Sequence, residues 1–444
     1  MSRIWMIFAA ALVAAAGCDD GGADGEPVED AGTDGGGDDG LSFPLKIAVL
    51  SDTHLYAESL GMSIAASEAL ETEPGLAEAS DAIVEATVED LAVSDVDLVL
   101  VSGDLTSNGA AESHERIAAL LGGLEDAGIQ VLVVPGNHDV NNQYAVSYAD
   151  FQDPVPDLTP EEFDDLYADL GPADALSEDP SSMSYSVEPI AGIRLLMIDS
   201  CLYTAGYHLE GALSDDTLAW ATDQAVAAVS EGSFPIAVLH HGLVEHVDSQ
   251  DTYFAGFLLN DHEAVATALA DSGVTLAFTG HYHTRDTSML ETGAGNTLYD
   301  TETGSLTIWP FPYRLLTIEE NGAVAMTAAT TEEFDFDTGG QDIDTWAQER
   351  LDTAHEAYLT SVASGYGLTG PQIAAAMPTM KEAWKAHLLG DEEYTEERQA
   401  AVADISSQGG VMFLVGGMIA KMFQDAAPAD NELTIDLTDG SHTP

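Results

Sequence analysis

The chain has 444 residues, 45% of them apolar, which is enough for a large buried core and excludes a wholly disordered protein. Its 78 acidic residues against 11 basic ones set a formal charge of −67, so counterion release cannot draw it to a polyanion and no nucleic-acid polymer is expected as a partner.

The first segment in chain order reads as an export signal. Arg3 is followed by the apolar run Ile4 to Ala16, and Ala15-Ala16-Gly17 stands immediately before Cys18, the layout of a bacterial lipoprotein signal peptide over residues 1–18. The run is too short for a spanning helix, which takes ~20 apolar residues. Cys18 is therefore expected to carry the lipid, making an exported, periplasmic or cell-surface protein with a membrane anchor; an ordinary secretory signal is the alternative. Cys201 is then left without a partner and is read as a small core residue. Residues 19–44 are acidic and rich in Gly and Asp, with too little apolar surface to fold, and are read as a tether.

From residue 45 onward, five apolar runs each end in chemistry-bearing residues. Lys46–Ser51 leads into Asp52-Thr53-His54, Val96–Val101 into Ser102-Gly103-Asp104, and Val131–Val134 into Pro135-Gly136-Asn137-His138-Asp139. Ile236–Leu239 leads into His240-His241, and Val274–Phe278 into Thr279-Gly280-His281-Tyr282-His283. Continuous β-branched and Leu runs are what strands covered on both faces look like, and ligands of open α/β sheets bind beyond the carboxyl ends of the strands. Imidazole, carboxylate and amide donors without thiolate suit Mn, Fe or Zn, so the set predicts a dinuclear metal centre.

Helical spacing over 79–94 and 110–127 joins the first three strands as βαβαβ with right-handed crossovers. A Pro- and Asp-rich excursion over 150–182, with one short helix near Glu161 to Leu170, interrupts the pattern. Met183–Val187 and Ile193–Ile198 read as strands, and Asp215–Val229 as a helix, so a second half repeats the first. Two such halves stacked face to face make an α/β fold, a four-layer α/β/β/α sandwich of two mixed sheets. Residues 297–330 are expected to close one sheet, with Trp309-Pro310-Phe311-Pro312-Tyr313 as a packed aromatic turn. Residues 331–444 read as a mainly helical accessory region, with helices near 343–364, 371–388 and 394–405, an apolar piece over Gly409–Phe423 and a last strand at Leu433–Leu437. No ligand-type clustering is visible there.

The ordered motifs Asp-x-His, Gly-Asp, Gly-Asn-His-Asp, a His after a strand, and Gly-His-x-His resemble those of the calcineurin-like metallophosphoesterases, over residues 52–283 and, with flanking strands, 45–330. The sequence departs at Gly242, where many relatives have Pro. The resemblance implies the same sandwich, with Asp52, His54 and His283 on one metal, Asn137, His240 and His281 on the other, and Asp104 bridging them. It also implies that His138 stands beside the leaving oxygen and that Asp139 orients its ring. Two bridged cations ~3.5–4 Å apart would clamp both oxygens of an in-line displacement and supply hydroxide near neutral pH. His241 is read either as a substrate or supporting contact or as a loop residue, and Arg285 either as a grip on a phosphate oxygen or as a partner of a nearby acid such as Asp286.

Three functions follow. The first is a phosphodiesterase acting on a cyclic nucleotide, glycerophosphodiester or lipid head group; the second is a phosphomonoesterase or nucleotidase with the same centre. The third, a non-catalytic metal-binding surface lipoprotein, would be expected to have lost a ligand or His138, and neither is lost. The scarcity of basic residues favours the singly charged diester, so a small-molecule phosphoester is the expected substrate.

Overall fold

The computed structural model describes residues 41–150, 153–203, 206–390, 392–424 and 427–444. The signal segment with Cys18, and the tether as far as residue 40, lie outside the described residues.

The first half runs β1 (Leu45–Leu50), α1 (Ile64–Leu70), α2 (Ser80–Ala92), β2 (Leu98–Val101), α3 (Ala111–Asp126) and β3 (Gln130–Val133). The excursion holds a ribbon of β4 (Val146–Ser147) and β5 (Asp153–Pro154), then α4 (Pro160–Tyr167) and the short β6 (Ser177–Glu178). A capping box between Thr159 and Glu162 starts α4. The second half comprises β7 (Tyr185–Ile190), β8 (Ile193–Met197), α5 (Asp215–Glu231), β9 (Phe234–Val238), α6 (Gln250–Tyr253), α7 (His262–Asp271), β10 (Leu276–Thr279), β11 (Asp286–Glu291) and β12 (Thr297–Glu302). β13 (Pro312–Ile318) and β14 (Ala323–Thr330) precede four helices, α8 (Ile343–Gly365), α9 (Gly370–Leu389), α10 (Glu396–Ser406) and α11 (Val411–Met422), and the chain closes with β15 (Glu432–Asp436) and β16 (His442–Thr443).

The strands form two seven-stranded mixed sheets, ordered β16-β15-β14-β13-β1-β2-β3 and β11-β12-β10-β9-β8-β7-β6. β1, β2 and β3 are parallel to one another, as are β8, β9, β10 and β12, so their carboxyl ends lie at one edge of each sheet. Alternation within strands sorts the layers. Ile47, Val49, Leu98, Leu100 and Leu132 face Leu195, Met197, Ile236, Val238, Leu276 and Phe278 between the sheets. Ala48, Leu50, Val99, Val101 and Val133 face the other way, onto Ile83 and Val84 of α2 and Ile117 and Leu121 of α3. Leu196, Ala237 and Ala277 pack on Ala221 and Ala225 of α5 and Leu269 of α7. Burial of each such Leu, Ile or Val side chain contributes roughly 1.5–3 kcal/mol, and these contacts produce the four expected layers.

One expectation is corrected here. Residues 297–330 do not close one sheet: β12 pairs in parallel with β10 in the second sheet, whereas β13 and β14 extend the first. The chain crosses between the sheets at the aromatic turn, where Phe311 is buried against Phe334. The expected last strand is present as β15, which returns after the helices to pair with β14 in the first sheet. The helices α8 to α11 pack around Phe254, Phe257 and Tyr282, beside the carboxyl edge of the second sheet. Among the described residues no helix is long and apolar enough to cross a membrane.

Candidate metal centre

The five strand-end motifs meet where the carboxyl edges of the two sheets come together. Backbone bonds Asp52 N to Gly103 O (3.0 Å) and His54 N to Asp104 O (2.9 Å) tie the first two loops, and the backbone N–H of His281 donates to Asp52 Oδ2 at 2.9 Å across the sheets. Five of the expected ligands adopt positive φ: Asp52 (49°), His54 (39°), Asp104 (48°), His281 (73°) and His283 (66°). Left-handed backbone is uncommon for side-chain-bearing residues and costs on the order of 1 kcal/mol each, so the surrounding hydrogen bonds must hold it.

The glycines of the motifs acquire a physical reason from this crowding. A Cβ at Gly136 would stand 2.0 Å from Asp104 N, one at Gly280 1.9 Å from Ser51 Oγ and 2.4 Å from Asp52 Oδ2, and one at Gly103 2.6 Å from His240 Nδ1. Only glycine lets these loops approach the carboxylates and the imidazole so closely.

Two groups of side chains offer converging donor atoms: Asp52, His54, Asp104 and His283, and Asp104, His240 and His281, each set lying within 4.8 Å. Asp104 belongs to both. His283 Nε2 lies 3.1 Å from Asp52 Oδ1 and 3.2 Å from His54 Nε2, while Asp104 Oδ2 lies 3.3 Å from His240 Nε2 and 3.6 Å from His54 Nε2. Asn137 Oδ1 lies 3.0 Å from His240 Nε2, and Asn137 Nδ2 is buried with no hydrogen-bond partner. The pattern is one of buried lone pairs crowded toward two shared points, in nitrogen and oxygen donors that suit Zn, Mn or Fe. The residues present therefore fit a pair of divalent cations.

The carboxylates and imidazoles of the cluster are close enough to shift one another's protonation. Burial pushes the Asp52 and Asp104 carboxyls up, but His283 and His54 around Asp52, and His240, His138 and His54 around Asp104, outweigh it and hold both below the usual range. Burial alone would lower His240, yet Asp104 and Asp52 raise it to about 9. His281 is pushed well down by burial and by the neighbouring His241 and His240. Cations would take the place of these protons, so binding them releases protons.

His138 lines the cleft above this floor. Its Nδ1–H donates to the Ser107 carbonyl at 2.8 Å, leaving Nε2 4.0 Å from Asp104 Oδ2. Asp139 does not orient that ring, which corrects the sequence reading. Its carboxylate turns back to accept from the Gly136, Leu105 and Thr106 amides (2.8, 3.0 and 2.9 Å) and the Thr106 hydroxyl (2.9 Å). A buried carboxylate needs several donors, and the folded-back loop supplies four, so Asp139 is a positioning residue that binds two motif loops together. His241 is fully buried, its Nδ1 2.8 Å from Ser200 Oγ and its ring 4.5 Å from that of His281. It backs His281 and does not line the cleft. Of the two readings of Arg285, the structure favours the structural one: its Nε (3.1 Å) and Nη2 donate to the Leu389 carbonyl at the end of α9, and it is not among the residues lining the cleft.

The cleft holds about 130 Å³. His54, Asp104, His138, His281 and His283 form its polar part; Leu70, Pro74, Tyr148, Tyr207, Leu209, Phe257 and Ile308 form apolar walls, and Glu73 is its further acid. Among the described residues, no lysine or arginine lines it. Sequence reasoning missed Tyr207, whose ring meets His138 at 5.3 Å, along with Leu209 and Phe257. They come from irregular loops whose spacing carries no periodic signal.

The family model for calcineurin-like phosphoesterase matches residues 45–285. A glycerophosphodiester phosphodiesterase of Enterobacter lignolyticus is 32% identical over 188 residues, covering 42% of this chain and 56% of that protein, so the chain spans little more than half of it. A probable cyclic nucleotide phosphodiesterase of Fibrobacter succinogenes is 25% identical over 220 residues, covering 49% of this chain and 68% of that one. Among solved structures, a dimetal phosphatase from Danio rerio aligns at a TM-score of 0.47 with 14% identity, covering 66% of this chain and 98% of the other. Because the matched model takes in more than half of its residues, and the motifs it rests on converge in one buried centre, the chain belongs to the calcineurin-like phosphoesterase family.

Proposed function

We propose that the protein is a metal-dependent phosphodiesterase acting on a small diester with an apolar or aromatic portion, of the glycerophosphodiester or cyclic-nucleotide class. One observation carries the reading: two ligand groups sharing Asp104 form the floor of a cleft whose walls are mainly apolar and, among the described residues, hold no lysine or arginine. A diester brings one negative charge and an esterified leaving group, which suit a site with no basic side chain; a dianionic monoester would leave a second charge facing Glu73. The names of the two bacterial relatives support the same class.

When bound, a pair of divalent cations supplies Lewis acidity and a nucleophile at neutral pH. Asp52, His54 and His283 would hold one, Asn137, His240 and His281 the other, and Asp104 both. His138 stands at the cleft with Nδ1–H fixed to Ser107, which fixes where Nε2 points. Burial, together with neighbouring His54 and His283, lowers its imidazole to about 4 against the pull of Asp104, so Nε2 offers a lone pair in the free protein at neutral pH. For His138 to protonate the leaving oxygen, Nε2 must first take up a proton from solvent, which the negative charge of an arriving phosphoester favours. Tyr207 packs edge-on against His138 and limits its ring to this orientation, while Leu209, Phe257 and Ile308 exclude water from the leaving group. Outside the cytoplasm, Cys18 would tether the domain through the acidic linker.

The test is turnover of bis-p-nitrophenyl phosphate against p-nitrophenyl phosphate with Mn²⁺ supplied, alongside Asn137→Ala and His138→Ala. Faster diester turnover that both variants lose, with metal retained in His138→Ala, is the expected result. Faster monoester turnover would replace this reading with a phosphomonoesterase.

A further inference from the structure

We infer that Asp286, His387 and Glu392 hold a divalent cation of their own, separate from the centre at the strand ends, and that this ion pins the C-terminal helices to β11. Asp286 opens β11, His387 lies in the last turn of α9, and Glu392 follows that helix. Donor atoms from the three lie within 4.8 Å of one another and all three residues are buried. One imidazole and two carboxylates form a donor set suited to zinc or manganese.

The strongest argument is the set of buried atoms around this point that nothing satisfies. Among the described residues, His387 Nε2, Glu392 Oε2 and the Tyr282 hydroxyl have no hydrogen-bond partner, although their residues are 3%, 8% and 4% exposed. Buried polar atoms are nearly always paired, and unpaired atoms on donor residues that converge within 4.8 Å call for an ion or its waters. The Tyr282 ring lies 5.5 Å from that of His387, edge-on to it. Arg314 is beside these groups, but its guanidinium donates to the backbone carbonyls of Glu302, Asp430 and Asp286 and gives the carboxylates no hydrogen.

The residues behind the three donors are arranged as support. His246 Nδ1 lies 2.6 Å from Asp286 Oδ1, a contact that fixes that carboxylate, while within the donor set itself Glu392 Oε1 lies 2.5 Å from His387 Nδ1. Tyr282 stands between His281 and His283, so an ion here would also stiffen the loop that carries both. The sequence reading saw no clustering in the C-terminal region because two donors come from α9 and its exit and the third from β11.

The experiment is metal stoichiometry by inductively coupled plasma mass spectrometry on the full chain. The protein is saturated with Zn²⁺ and desalted at high ionic strength, which strips loosely held ions from the acidic surface. Glu392→Gln and His387→Ala are each expected to hold one ion per chain fewer than wild type, and to lose the part of the Zn²⁺-dependent rise in melting temperature that this site supplies. Asn137→Ala is expected to lower the count independently, so that the losses add in Asn137→Ala/Glu392→Gln. An unchanged count in Asn137→Ala alone would count against the catalytic centre and leave this site standing. Equal counts in wild type and in folded Glu392→Gln overturn the proposal, leaving an ion network without metal. If His387→Ala does not fold, the near-isosteric Glu392→Gln decides by the same criterion.

Discussion

Gly136→Ala probes how closely the centre depends on one missing methyl group. A Cβ there would lie 2.0 Å from Asp104 N and 2.2 Å from Asp104 Oδ1, where real Cβ contacts essentially never fall below 3.0 Å. The Gly136 loop and Asp104 must therefore separate by at least 1.0 Å, the difference between those distances. Neither side yields freely, because Gly136 N donates to Asp139 Oδ2 and Asp104 Oδ1 accepts from His138 N at 2.8 Å. A misplacement of ~1 Å costs about 10²-fold in rate, or ~2.7 kcal/mol of transition-state stabilisation. Overpacking adds ~1–3 kcal/mol of lost stability. The assay is kcat/KM for bis-p-nitrophenyl phosphate with bound metal counted in parallel, using Gly122→Ala as control. Gly122 lies inside α3 with nothing within 4 Å of its would-be Cβ, so its replacement should be neutral or slightly stabilising. Gly136→Ala activity within about threefold of wild type, at unchanged metal content, would refute the claim that this close approach places Asp104.

Three further outcomes follow from particular contacts. Arg285→Lys should lower stability by ~1.5–3 kcal/mol, through loss of the paired bonds to the Leu389 carbonyl, while leaving KM for the diester within about twofold; a tenfold rise in KM would restore a phosphate-binding role. His114 is pinned neutral, Nε2 2.9 Å from the Asp139 carbonyl and Nδ1 2.8 Å from the Tyr167 hydroxyl, and burial lowers it to about 4. Its folded pKa lies below its unfolded value of ~6.5, so its contribution is present above that value and is lost as pH falls toward 4, on the order of 3 kcal/mol in all. Urea midpoints of wild type and His114→Gln at several pH values read this directly, and parallel curves would remove it. Cys18→Ser should shift the protein from the membrane fraction to the soluble exported fraction; an unchanged distribution would leave the lipid-anchor reading without support.

The sequence by itself determined the strand-end chemistry, because the features that encode it are local. Val131 to Val134 is legible as a buried strand from four consecutive side chains, and Pro135-Gly136 marks where it must stop, so Asn137 and His138 could be placed without knowing what lay opposite. The same holds for Asp52, Asp104, His240 and His281, and for the helices that connect them. Their order along the chain, together with the parallel crossovers, was sufficient for a four-layer sandwich. What a side chain touches across the fold has no local signal. Asp139 sits beside His138 in sequence, yet its carboxylate serves Gly136, Leu105 and Thr106, since a buried charge turns to the nearest set of free amides. Arg285 follows His283 by two residues, but the arrival of α9 brings the Leu389 carbonyl to its guanidinium. Tertiary structure alone brought Tyr207, Leu209 and Phe257 over the centre and joined Asp286 to His387 and Glu392. Those meetings depend on how loops and helices pack at long range, which periodicity along the chain does not record.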